Sequence, residues 1–138
     1  MVDKDIILAK ASAVRRYRKR VADKSNVDLQ TFKSDLDLQE IVLFNLHMAI
    51  QSCTDIAAHI VSEEGYGVPG SSNEMFYMLE ENGLIEVALA ERMVKTVGLR
   101  NLVVHEYGRI DLGQIYTVVR NDIRDLDIFI QVILDKLG

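Results

Sequence analysis

The chain has 138 residues, 49% hydrophobic and 27% charged, with a formal net charge of −5. Those fractions exclude a disordered chain and an oily membrane protein, and the length suits one domain over residues 1–138 that buries about two-thirds of its unfolded surface. One proline and eight glycines supply too little turn chemistry for an all-β domain, so an all-α fold is expected.

The lone Cys53 has no partner for an intramolecular disulfide and lies in an apolar stretch, which suits a packed thiol in a reducing compartment. Charge is mixed through the first two dozen residues, unlike a signal peptide. The apolar runs are broken short of the roughly 18–20 residues a membrane helix needs. A cytoplasmic protein without membrane contact is the expectation.

The first segment, Asp3 to Ala22, spaces Ile6, Leu8, Ala13, Val14, Tyr17 and Val21 as an amphipathic helix. Residues 1–24 hold eight Lys and Arg against three Asp, whereas the remainder holds eight against eighteen acidic residues. A globally acidic chain is no general nucleic-acid coater, but a local basic patch can still meet phosphate.

Ser25-Asn26 interrupts this helix, and Asp28 or Ser34 can cap the next, whose pattern from Leu36 to Ile60 is apolar nearly all round and therefore central. Gly65 to Gly70 contains the sole proline and reads as a loop. Ser71 with Glu74 forms a capping-box signature for a short helix ending at Asn82-Gly83. A helix from Leu84 to Val97 is expected to stop at Gly98, followed by a short helical turn from Leu99 to Tyr107. Asp111 to Leu137 reads as one long helix whose polar side exposes Arg120, Asp122, Arg124, Asp125 and Asp135. Four main helices with short connections predict an up-and-down four-helix bundle with additional short helices.

Several chemistries fall away on spacing. Gly65 to Ser72 has the outline of a phosphate loop without its Lys, and no Gly-x-Ser-x-Gly occurs. His47, His59 and His105 show none of the usual metal-ligand spacings, so no metal and no cofactor are expected. Asp55 and His59 lie one turn apart, where the plain reading is a satisfied polar pair and the functional one a cleft. His47 and Asn45 take the plain reading.

Arg15-Arg16-Tyr17-Arg18-Lys19-Arg20 has the composition of a phosphate-binding surface, with Arg15, Arg16 and Lys19 as candidate RNA contacts. At about 100° per residue these charges wrap the helix, so a solvated face explains them equally well.

Arg100 to Tyr107 is the most pointed segment. An arginine can stabilise a phosphoryl transition state bidentately, and a histidine can move a proton near neutral pH. Together they suffice for metal-free RNA cleavage, in which the 2′-hydroxyl attacks its own phosphate. On a regular helix Arg100 and His105 differ by about 140°, so they converge only in a cleft, made by a helix distorted near Gly108 or by two subunits. An exposed Arg and a hydrogen-bonded His is the alternative on spacing alone.

Arg100-Asn101 followed by His105-x-Tyr107, ahead of the last long segment, resembles the HEPN superfamily motif, and more closely the Arg-Asn-x3-His-x-Tyr form of the HepT toxins. Asn45 to Ala57 is similar to the corresponding HepT helix. The resemblance implies a HEPN-like homodimer with metal-independent endoribonuclease activity on RNA, transfer RNA being one target class. It also implies a MntA-type nucleotidyltransferase antitoxin that moves AMP from ATP to the motif tyrosine. Position by position, Arg100 and His105 match the catalytic pair, Asn101 the adjoining polar residue and Tyr107 the AMPylation site, with Asp55 a weaker supporting match.

Two other readings stay open. One is a non-catalytic helical dimer that binds a nucleotidyltransferase or nucleotide. The other is a small-molecule enzyme using His105 and Asp55.

Overall fold

The computed structural model describes the backbone of residues 1–105 and 111–138 and the side chains of residues 1–99 and 111–138. Seven helices are formed by the described residues: α1 (Lys4–Lys24), α2 (Leu29–Ser34), α3 (Leu36–Glu63), α4 (Ser72–Glu81), α5 (Val87–His105), α6 (Leu112–Asn121) and α7 (Arg124–Leu137).

Side-chain caps start α1, α2, α3, α4 and α6, whereas α7 begins without one. Asp3 accepts from the amides of Asp5 and Ile6, Asp28 from Thr31, and Asp35 from Leu38, so an aspartate side chain satisfies orphan donors at each of the first three N-termini. Asp28 thus caps a separate short helix, while Asp35 caps the central one. At α4, Ser71 accepts from the Glu74 amide as expected. The Glu74 carboxylate reaches back one residue further, to the Gly70 N–H at 2.7 Å. Gly83, at φ 78°, supplies the left-handed residue that ends α4.

The central position of α3 is as expected: twelve of its 28 residues are buried. It has the length and apolarity of a membrane-crossing helix, but 61% of its most apolar window is buried inside the protein. Register fixes the layout. Asp3 bonds His59 and Lys10 bonds Asp55, so α1 runs antiparallel to α3. Arg18 meets Asp127 and Arg92 meets Asp125, while Leu8 and Leu134 line one hollow and Leu84 and Val132 another, so α7 runs antiparallel to both α1 and α5. The long helices α1, α3, α5 and α7 therefore form an up-and-down arrangement. Phe76 of α4 and Phe129 of α7 meet edge to face at 5.5 Å in its core.

Three expectations need correction. The buried stripe of α1 is Ile7, Ala11, Val14 and Val21, whereas Ile6 and Leu8 are exposed, because α3 and α7 approach the side one residue away. Gly98 does not stop a helix. Burial of Val97 and Leu99 on either side of it offsets the backbone freedom glycine loses, and α5 continues to His105. The segment after Asp111 is two helices, since the Val118 carbonyl accepts from both Asp122 and Ile123 and closes α6 there. That break turns Asp125 inward, making it buried rather than exposed.

Candidate functional site

The motif sits at the C-terminal end of α5, with Arg100, Asn101 and His105 all on continuous helical backbone. Five residues of unbroken helix separate positions 100 and 105 by about 140° around the axis. Leu89, Ala90, Met93, Val97 and Leu99 are buried and seat the helix in the core just before the motif. Tyr107 lies outside the described residues, as do the side chains of Arg100, Asn101 and His105.

Next to the motif, α5, α6 and α7 enclose a hollow of about 220 Å³. Arg92, Lys95, Thr96 and Leu99 line it from α5, Val118 and Asp122 from α6 and its end, and Asp125 from α7. The Arg92 Nε–H donates to Asp125 Oδ1 at 3.0 Å, tying the motif helix to α7. This junction was missed from sequence because Asp125 falls on the polar side of a helix that was expected to be unbroken. Asn121-Asp122 was the available hint of a break.

Asp55 is engaged at both oxygens: Lys10 Nζ donates to Oδ2 at 3.0 Å and Gln51 Nε2 to Oδ1 at 2.9 Å. Asp55 thus clamps α3 to α1. His59 is not its partner, since its Nε2 accepts the Asp3 amide N–H at 3.0 Å, which requires that nitrogen to be unprotonated. Asn45 donates to the Ile41 carbonyl one turn back, a structural bond as expected. Cys53 is fully buried, and burial pushes its thiol well above the usual range, so it is a packed thiol and not a nucleophile at neutral pH.

The basic cluster divides by face. Arg15, Arg16, Lys19 and Arg20 are exposed, and no ion pair or hydrogen bond from a described residue holds Arg15, Arg16 or Lys19. Arg16 lies 5.6 Å from the centroid of the Tyr17 ring. Arg18 turns inward to Asp127 at 2.8 Å, a charge contact without the alignment of a hydrogen bond. Among the described residues no group of three His, Cys, Asp or Glu side chains is placed to hold a metal.

A helical bundle with Arg-Asn-x3-His-x-Tyr beginning on the last turns of its third long helix defines a protein of the HEPN class. The family model described as ribonuclease HepT-like matches residues 9–133, and the chain belongs to that family. It is 38% identical over 129 residues to the mRNA nuclease HepT of Shewanella oneidensis, covering 94% of this chain and 96% of that protein. It is 27% identical over 128 residues to the tRNA nuclease HepT of Aphanizomenon flos-aquae, covering 93% and 87%. Among solved structures, the tri-AMPylated Shewanella oneidensis HEPN toxin in complex with MNT antitoxin matches at a TM-score of 0.88 and 37% identity, over 95% of this chain and 98% of that one.

Proposed function

We propose that this chain is the endoribonuclease toxin of a toxin–antitoxin pair, acting as a homodimer without metal or cofactor. The observation that carries this reading is the placement of Arg100 and His105 on one continuous helix in a chain that belongs to the HepT-like family. Their offset of about 140° keeps one α5 from gathering both groups on one face, and a second copy packed across a two-fold axis supplies the cleft.

The chemistry needs no protein nucleophile. His105 takes the proton of the 2′-hydroxyl, the 2′-oxygen forms a bond to its own phosphorus, and the bond from phosphorus to the 5′-oxygen breaks. A proton returns to the departing 5′-oxygen, leaving a cyclic phosphate and a 5′-hydroxyl. Arg100 stabilises the charge that grows on the phosphoryl oxygens, and Asn101 hydrogen-bonds beside it. Arg15, Arg16 and Lys19 hold the RNA backbone by charge, because they stand exposed and unpaired. Asp55 supports the site at a distance by fixing α3 against α1.

A MntA-type nucleotidyltransferase silences the toxin by transferring AMP from ATP to the Tyr107 hydroxyl, with release of pyrophosphate. The added phosphate and bulk oppose RNA in a site made for phosphate. The similarity to a toxin solved in tri-AMPylated form with an MNT antitoxin supports this partner. Activity inside the cytoplasm follows from an RNA target.

Expression in cells tests the proposal. Growth arrest that His105→Ala or Arg100→Ala abolishes, with cleavage in vitro unaffected by a chelator and leaving cyclic phosphate ends, is the expected result. A chain that neither arrests growth nor cuts RNA leaves the non-catalytic assembly role instead.

A further inference from the structure

The hollow between α5, α6 and α7 holds more polar capacity than the Arg92–Asp125 bond that ties α5 to α7 uses. Asp125 is only 7% exposed, and its Oδ1 takes the Arg92 bond while its Oδ2 accepts nothing from any described residue. Asp122, half-buried, faces the same space. Arg92 uses only its Nε in the bond to Asp125, so its terminal N–H groups stay available, and Lys95 beside it is exposed and unpaired. Leu99 and Val118 give the hollow apolar walls.

A ligand that suits this space is apolar where it meets Leu99 and Val118, donates hydrogen bonds at its inner edge and is negative at its outer end. A simple anion is repelled by the two carboxylates, and a simple cation by Arg92 and Lys95. Resting on the ribonuclease function proposed above, we propose that the hollow is a subsite for one ribonucleotide of the RNA substrate, with a base that carries an exocyclic amino group. The amino group donates to Asp125 Oδ2, and the 5′-phosphate meets Arg92 and Lys95. Uracil is disfavoured because its single edge N–H lies between two carbonyl oxygens that face the carboxylates.

Position ties this subsite to cleavage. Arg92, Lys95, Thr96 and Leu99 follow the three- and four-residue spacing of one helix face. Position 100 comes one turn after Thr96 on the same helical backbone, about 6 Å along the axis, so the hollow and the start of the motif are one turn apart. The subsite thereby selects the base beside the scissile bond.

The test is titration of the full chain with each of the four 5′-ribonucleoside monophosphates, read on the methyl resonances of Leu99 and Val118. CMP, AMP and GMP are expected to shift both, and UMP to bind about ten-fold more weakly. Asp125→Asn is expected to level that preference, and Lys95→Glu, at an exposed position that leaves folding intact, to weaken all four alike. The proposal is overturned if no monophosphate moves these methyls, if UMP binds as well as the others, or if the preference survives in Asp125→Asn. Should Asp125→Asn fail to fold, the wild-type preference and the Lys95→Glu result decide the matter.

Cleavage mapping separates the two ideas. A chain that binds the monophosphates selectively but cuts no RNA removes the ribonuclease reading and, with it, the substrate role of the hollow. A chain that cuts RNA equally beside uracil and beside the other bases keeps the nuclease and overturns the subsite.

Discussion

Asp125 and Arg92 form an ion pair in which only one partner is buried: the Asp125 side chain is 10% exposed and the Arg92 side chain 45%. The bond pins the helix that carries Arg100 and His105 to the last helix of the bundle. Its two halves are therefore unequal. Arg92→Ala strands a carboxylate inside and costs about 2 kcal/mol, whereas Asp125→Ala leaves an arginine that water can solvate and costs about 1 kcal/mol. Urea midpoints of the two variants give the order directly, and equal midpoints contradict the argument.

His105→Ala and Arg100→Ala are each expected to lower the rate of RNA cleavage by about 100-fold or more, with far-ultraviolet circular dichroism checking that each variant is folded. Tyr107→Phe keeps the cleavage rate but gains no mass on incubation with the antitoxin and ATP. Intact-mass measurement beside a cleavage assay checks both statements.

Reversing charge at Arg15, Arg16 and Lys19 removes the phosphate contacts proposed for them and, among described contacts, only that of Arg16 with the Tyr17 ring. RNA affinity should fall, and the slope of log affinity against log salt should flatten by up to about 0.7 per lost contact on single-stranded RNA. An unchanged slope assigns these residues to a solvated face.

Phe76 is fully buried and packs on Phe129, so Phe76→Ala is expected to cost about 3–5 kcal/mol, seen as a large drop in thermal midpoint. Gly98→Ala acts in the opposite direction. A Cβ at that position meets nothing within 4 Å, and the helix gains about 0.5–1 kcal/mol.

Hydrogen bonds from Thr31 hold the Asp28 carboxyl below its ordinary value of 3.8. The folded pKa is the lower one, so the cap contributes fully above the unfolded value and is lost as pH falls through the folded one. Asp28→Asn should shrink the loss of stability as pH falls below the ordinary carboxyl value of 3.8, measurable by denaturation at a series of pH values.

Much of the bundle could be read from periodicity, capping residues and the Gly-Pro loop, since these signals are local. Asp3 and Ser71 declared their helix starts, Gly83 its helix end, and the oily run from Leu36 to Ile60 its central place. What escaped were outcomes of tertiary packing. Gly98 looks like a stop until the burial of Val97 and Leu99 is counted, and Asp125 looks exposed until the turn at Asp122-Ile123 rotates α7. The motif residues are a reading of residue type and order, and their side chains lie outside the described residues. The hollow beside them was not legible, because its walls come from three helices whose mutual placement no local pattern encodes.

Cys53 has one more use. A thiol with no exposed surface and little thiolate at neutral pH stays silent toward maleimides under native conditions. The wild-type chain is thus ready for single-site labelling: a cysteine placed at Lys19 or Glu91, both on the surface, takes a spin label or fluorophore alone. Distances between identical labels would then reveal directly how two copies face one another.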